Sequence, residues 1–231
     1  MGSIIRRLGT LLLVLGVGAV AWAIVVWQWQ DPFTALYTKF QQHRLADQYA
    51  ETARRFHARS LEGASLVAAR ERLAAEARLY RKQARRGHAI GRIKIPRLGL
   101  NMILVEGTDH DSLEKGPGRD RRSYMPGENR LVYVAGHRTT FLAPFAHVER
   151  LRRGDLVTIQ VPYGSFRYRI TRNRIVRADD LSVLCSPRHE QLELQACHPR
   201  FFASHRYIAY ARLAKVVVGR TTLNATALAA G

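Results

Sequence analysis

The sequence predicts a mainly β domain, a barrel or a sandwich, carried behind an apolar helix and a helical segment. Two observations support this. From Ala89 onward, short runs rich in Val, Ile, Tyr and Phe are separated by Pro, Gly, Asp and Ser clusters, with no alternating helix series. Before residue 88 the apolar residues recur at helical spacing.

From Leu8 to Trp27 no residue is charged. At about 1.5 Å per residue, a run of roughly twenty crosses a bilayer core. Arg6 and Arg7 precede it and Trp22, Trp27 and Trp29 gather at its far end, so a single pass is expected, with the N-terminus cytoplasmic and the rest extracellular. Ala19-Val20-Ala21 has the form of a signal-peptide cleavage site, but the apolar run continues past it, which favours a retained anchor.

Asp31-Pro32 reads as an N-cap and first-turn proline. Phe33, Leu36, Tyr37, Phe40, Leu45, Tyr49 and Phe56 then mark one helical stripe, and Leu66, Leu73 and Tyr80 a second, reaching about Arg86. Gly63 is the expected break. The segment fits a stalk, a helix pair packed on the following domain, or a coiled-coil seam, although its heptads are irregular. The expected division is an anchor over 1–30, a helical stalk or linker over 31–88, a β-domain over 89–220 and a flexible tail over 221–231.

The expected strands are Ile90–Ile95, Met102–Val105, Leu131–Ala135, Leu156–Val161, Phe166–Ala178, Leu192–Cys197 and Arg206–Val218. The net charge of +19 suits polyanions such as anionic lipid or acidic wall polymers, or only a set of solvated faces. No recognised nucleic-acid module is present, and no nucleic-acid partner is expected. No CxxC or HExxH occurs, so no structural zinc is expected; Cys185 and Cys197 could pair on spacing alone.

Strand alternation isolates the residues able to do chemistry. Leu192, Leu194 and Ala196 share one face, which leaves Cys197 with Glu193 and Gln195 on the other. A strand delivers His137 at its end, followed by the polar Arg138-Thr139-Thr140, and Arg206 opens the last strand. A thiol needs a neighbouring base to become a nucleophile. A guanidinium offers fixed donors to a carbonyl or oxyanion. His198 competes with His137 as the base, but successive strand residues point to opposite faces.

Four stretches then resemble the sortase family, with class E enzymes of actinobacteria the nearest likeness. They are Gly91-Arg92-Ile93-Lys94-Ile95-Pro96 with Val105-Glu106-Gly107; Lys115-Gly116-Pro117-Gly118; Ala135-Gly136-His137-Arg138-Thr139-Thr140 with Ala143-Pro144-Phe145; and Cys197-His198-Pro199-Arg200-Phe201 with Arg206. The resemblance implies a sortase-type closed β-barrel with short helices, an N-terminal membrane anchor and no cofactor. It gives Cys197 the role of nucleophile, His137 that of acid and base, and Arg206 that of clamp and oxyanion donor. Ala196, Thr139, Thr140 and His198, which flank them, are expected to contact substrate.

The implied reaction cleaves an LPxTG- or LAxTG-like sorting signal between Thr and Gly and passes the acyl group to a wall-precursor or pilin amine. The alternative is a catalytically weak, membrane-tethered wall-binding or scaffold protein. It is kept open because Glu193 and Ala196 stand where similar enzymes carry threonine. The run Arg119-Asp120-Arg121-Arg122-Ser123 is more basic than the family pattern and is read as a wall-facing loop. The segment Asp179–Glu190 falls where such enzymes carry the loop that shapes the substrate groove.

Overall fold

The structure is a computed structural model and describes residues 2–29, 32–56 and 61–224. Helix α1 (Gly2–Trp29) contains a 22-residue stretch, Gly2–Ala23, of mean hydropathy 1.8, none of it buried among the described residues. It is long and apolar enough to cross a membrane. Asp31 and the side chains of Trp27, Trp29 and Phe33 lie outside the described residues, so the expected cap and belt are not described beyond Trp22.

Helices α2 (Pro32–Arg55) and α3 (Leu66–Gln83) follow, with Gly63 between them at φ +68°, a conformation glycine adopts without strain. Ser65 caps α3 by accepting from the Ala68 N–H. Its buried stripe of Ala69, Leu73, Ala77 and Tyr80 repeats every three to four residues and enters the main core. Helix α2 lies against the outside of the first two strands. Leu45 packs there on Ala89, Ile103 and Val105, and Gln42 bonds to both the N–H and the C=O of Ile103.

The strands are β1 (Ala89–Ile95), β2 (Leu100–Glu106), β3 (Gly118–Arg119), β4 (Leu131–Ala135), β5 (Leu156–Val161), β6 (Gly164–Arg177), β7 (Gln191–His198), β8 (His205–Val218) and β9 (Thr221–Asn224), with a single turn of helix, α4 (His110–Leu113), after β2. They hydrogen-bond in the order β6-β5-β1-β2-β3-β4-β7-β8-β9, and β6 also pairs with β8. That extra pairing closes eight strands into a barrel, with β9 appended to β8. All seven expected strands are present, within two residues at each end. The two-residue β3 was not foreseen, and Thr221–Asn224 is strand rather than loose tail. Gly219, at φ +56°, opens a two-residue turn that folds β9 back onto β8.

One face of each strand fills the barrel. Ile93, Val132, Val134, Ile159, Phe166, Tyr168, Leu192, Leu194, Ala209 and Ala211 are fully or almost fully buried in a single cluster. The opposite faces of β4 and β8 build a smaller cluster outside the barrel, from Leu131, Tyr133, Ile208, Tyr210 and Val176, and Val183 and Leu184 of the loop before β7 lie over it.

The basic run 119–123, expected as an exposed loop, is exposed only at Arg121 and Arg122, while Arg119, Asp120 and Ser123 are buried. Arg119 is only 1% exposed and stands directly opposite Glu106 in the β2–β3 ladder. Its Nε donates to Glu106 at 2.9 Å, Nη2 donates to the other carboxylate oxygen, and Nη1 donates to the Asp120 and Ser123 carbonyls. Asp120 accepts from Arg122. A buried guanidinium is tolerated only when it is satisfied in this way, and removing one partner strands the other charge. Arg119→Leu is therefore expected to cost about 3–5 kcal/mol, because it leaves the buried Glu106 carboxylate with only the exposed Arg121 guanidinium, 3.8 Å away, as a cationic partner. Denaturant unfolding of the full chain in detergent checks this, with Arg121→Leu, an exposed neighbour, expected to change little.

Candidate active site

Three neighbouring strands carry the candidate catalytic residues to one level. Strand β4 runs parallel to β7 with Ala135 opposite Gln195, and the Gly136 N–H continues the ladder to the Gln195 carbonyl at 3.1 Å. Two residues further along each chain are His137 and Cys197. On the other side of β7, Cys197 stands directly opposite Arg206 in the antiparallel β7–β8 ladder. Opposed Cβ atoms in such a ladder are about 4.5–5.5 Å apart.

Alternation also puts all three on the outside of the barrel. On β7 the core takes Leu192, Leu194 and Ala196, so Cys197 points outward with Glu193 and Gln195. His137 continues the outward series Leu131 and Tyr133, and Arg206 the outward series Ile208 and Tyr210. The result is a shallow floor of β4, β7 and β8, with the loop before β7 over its far end.

The Cys197 thiol is half-buried and free; Cys185 is exposed and also free, so the pairing left open by their spacing is absent. His137 is half-buried, and its Nε2 is buried with no hydrogen-bond partner. Burial lowers its pKa below the ordinary histidine value, and the nearby His110 lowers it further. Near neutral pH the ring is thus uncharged and able to accept a proton. Arg206 is half-buried, with Nη1 donating to the Ala203 carbonyl at 2.7 Å and the His205 carbonyl at 3.0 Å, which fixes one side of its fork.

The flanking residues divide. Thr139 and Thr140 lie half-exposed just past His137. Ala196 is a correction: alternation turns its side chain into the barrel core, where it is 0% exposed and cannot touch a ligand on the outer floor. His198, next to Cys197 on β7, alternates to the other face and has Nδ1 3.1 Å from Arg138.

Two contributors were missed. Arg138 is buried; it donates to the Cys197 carbonyl at 3.1 Å and to Glu149 at 2.7 Å, tying the strand end that bears the thiol to the loop after β4. Phe141 lies against the His137 ring with centroids 5.1 Å apart and heads three consecutive residues at positive φ. Its N–H donates to Thr34 Oγ1 at 3.2 Å, so the first turns of α2 hold the cover of His137 in place. A basic residue beside the histidine and an aromatic four residues beyond it were visible in the sequence. Their direction was not.

Glu193 sits on the same face as Cys197, four residues away, beneath the loop cluster. One carboxylate oxygen accepts from Gln191 at 2.7 Å, and the other is buried without a partner. Burial raises its pKa to about 7. The fold therefore holds a proton there that the unfolded chain releases near 4.5, so the contribution of Glu193 to stability is fullest below pH 4.5 and is lost as pH rises towards and through 7. Glu193→Gln is expected to flatten this decline and raise the unfolding temperature at pH 8. Thermal unfolding of both proteins across pH 4–9 measures the difference. For His137, Phe141→Ala and Thr34→Val should move the imidazole titration upward towards the ordinary histidine value. Histidine NMR reads that midpoint directly, and a change confined to stability would not shift it.

The sortase domain model matches residues 93–214, more than half of the chain. Sortase D of Bacillus subtilis is 38% identical over 130 residues, covering 54% of this chain and 64% of the relative. Sortase A of Listeria monocytogenes is 19% identical over 126 residues, covering 54% and 57%. The chain thus spans about three fifths of the length of these curated relatives. Among solved structures, a Clostridium perfringens Sortase D5 transpeptidase superposes with a TM-score of 0.60 at 23% identity, covering 75% of this chain and 98% of its own. Sortase E1 of Streptomyces coelicolor gives 0.54 at 21% identity, covering 57% and 91%. The class E likeness is thus one of several, and these neighbours share the fold. A domain match this long, on a barrel that brings His137, Cys197 and Arg206 together, places the chain in the sortase family.

Proposed function

We propose that this chain is a cysteine transpeptidase acting on sorting-signal peptides. The supporting observation is the shared level of His137, Cys197 and Arg206 on the outer floor of the barrel. In the proposed reaction the Cys197 sulfur, its proton taken by the neutral His137 ring, attacks the threonine carbonyl of the signal. Arg206 holds that oxygen while the carbon is tetrahedral. The Thr–Gly bond breaks, His137 returns the proton to the leaving glycine nitrogen, and a thioester remains on Cys197. An acceptor amine then attacks the thioester, gives its proton to His137 and frees the thiol. The thioester preserves the acyl group's activation, so no nucleotide is consumed.

The finer assignments follow from the motifs. LAxTG suits the class E likeness and LPxTG the family at large, while the Sortase D name of the Bacillus relative leaves the class to a peptide comparison. The acceptor is a wall-precursor amine, with a pilin lysine the other candidate. Helix α1 serves as a retained anchor with the barrel outside the membrane, and the chain divides into anchor, helical segment and catalytic barrel near residues 30 and 88. Thr139 and Thr140 line the approach to Cys197.

The test is mass spectrometry of the full chain in detergent after incubation with LPxTG and LAxTG peptides. An acyl adduct on Cys197 is expected, absent in Cys197→Ala and reduced by orders of magnitude in His137→Ala. Arg206→Ala should lose about 10²–10³ in turnover, and Arg206→Lys much of it, because a mobile ammonium does not reproduce the planar fork. Wild-type turnover in Cys197→Ala would remove Cys197 as the nucleophile, whereas no adduct and no turnover in the wild-type chain would favour the scaffold alternative.

A further inference from the structure

Strands β6 and β8 meet in a ladder whose outward positions set cation against cation. Arg167 stands directly opposite Lys215, and Arg169 directly opposite Arg212. The neighbours of Arg167 and Arg169 on β5 are Thr158 and Leu156, and that of Lys215 on β9 is Asn224, so no acid flanks the group. Among the described residues none of the four forms an ion pair, whereas exposed arginines elsewhere do: Arg97 with Asp155, Arg122 with Asp120, Arg177 with Asp179. Like charges directly opposite on a sheet destabilise it. Arg172 and Arg174 extend the row along β6 towards the level of Arg206.

We propose that this β6–β8 strip is a docking surface for a linear, extracellular polymer of phosphate diesters. Charge complementarity supports the polyanion, and the shape of the strip supports a chain. Its two rows are about 4.8 Å apart, and Arg167 and Arg169 are roughly 6.7 Å apart along β6, while register shifts place Arg212 and Lys215, and Arg169 and Arg172, three residues apart, so the cations form an uneven row along which a flexible chain of phosphates can lie. Guanidinium groups bind phosphate through paired donors. A bilayer is the poorer fit, because surfaces that lie on lipid combine cations with inserted aromatics. The strip exposes no aromatic ring; its exposed apolar side chains are Leu156 and Ile175, at opposite ends, and the exposed pair Phe201 and Phe202 lies instead on the β7–β8 loop. The extracellular setting rests on the topology proposed above; the strip itself depends on neither that topology nor catalysis.

The experiment measures binding of fluorescent, defined-length inorganic polyphosphate to the full chain in zwitterionic detergent, across a salt series. The variant Arg167→Gln/Arg169→Gln/Arg212→Gln is compared with Arg70→Gln/Arg78→Gln/Lys82→Gln on α3, which removes the same charge elsewhere. The strip variant is expected to bind roughly tenfold more weakly or worse, with the slope of log affinity against log salt reduced by about 2, while the α3 variant stays near wild type. Its unfolding temperature should equal or exceed that of wild type, since opposed like charges have been removed. Equal losses in the two variants would reduce the effect to net charge and overturn the proposal. Strip-dependent binding to phosphatidylglycerol vesicles without strip-dependent polyphosphate binding would overturn it in favour of lipid. Acyl-adduct formation on Cys197, measured in parallel, separates failure here from failure of the transpeptidase reading.

Discussion

Closure of the sheet through β6 and β8 is the constraint from which the remaining geometry follows. These two strands pair along nearly their whole length, from Ser165 opposite Val217 to Arg177 opposite His205. Once the sheet is a barrel, every strand has an inside committed to packing and an outside free for other work. Phe166, Tyr168, Leu192 and Ala209 fill the interior, and no polar catalytic group has to be buried among them. The site is therefore a floor on the outer wall. Its precision comes from backbone registers, which are rigid, more than from loops.

The same logic explains why so much was legible. Seven strands carried enough alternation to be placed, and alternation alone put Cys197 on the polar side of β7. Strand β3 escaped because two residues carry no period. The turn at Gly219-Arg220 was a readable hairpin signal that the small polar residues after it obscured. Arg119 was misplaced for a different reason. Its composition suggested solvent, and only the parallel pairing of β2 with β3, a contact set by the fold, supplies the carboxylate that permits burial.

Within the site, sequence identified the chemistry and missed the scaffolding. His137, Cys197 and Arg206 stood out by residue type and motif, whereas Arg138 and Phe141 act by direction, and direction after a strand end depends on loop backbone. Ala196 shows the converse. Adjacent to Cys197 in sequence, it lies on the other side of the sheet, and the methyl there contributes to the core. Glu193 was singled out by its place near Cys197, and the fold makes it a buried carboxyl group with an unsatisfied oxygen.

The bond from Phe141 to Thr34 has a practical consequence. Thr34 lies only five residues beyond the end of α1, so the cover of the histidine is fastened by the part of the chain that a soluble preparation would discard first. A version beginning after residue 60 would keep the whole barrel, yet lose this tether together with the Gln42 bonds to Ile103. Measurements made on it would describe a barrel whose histidine is wetter and whose neighbouring loop is looser than in the full chain.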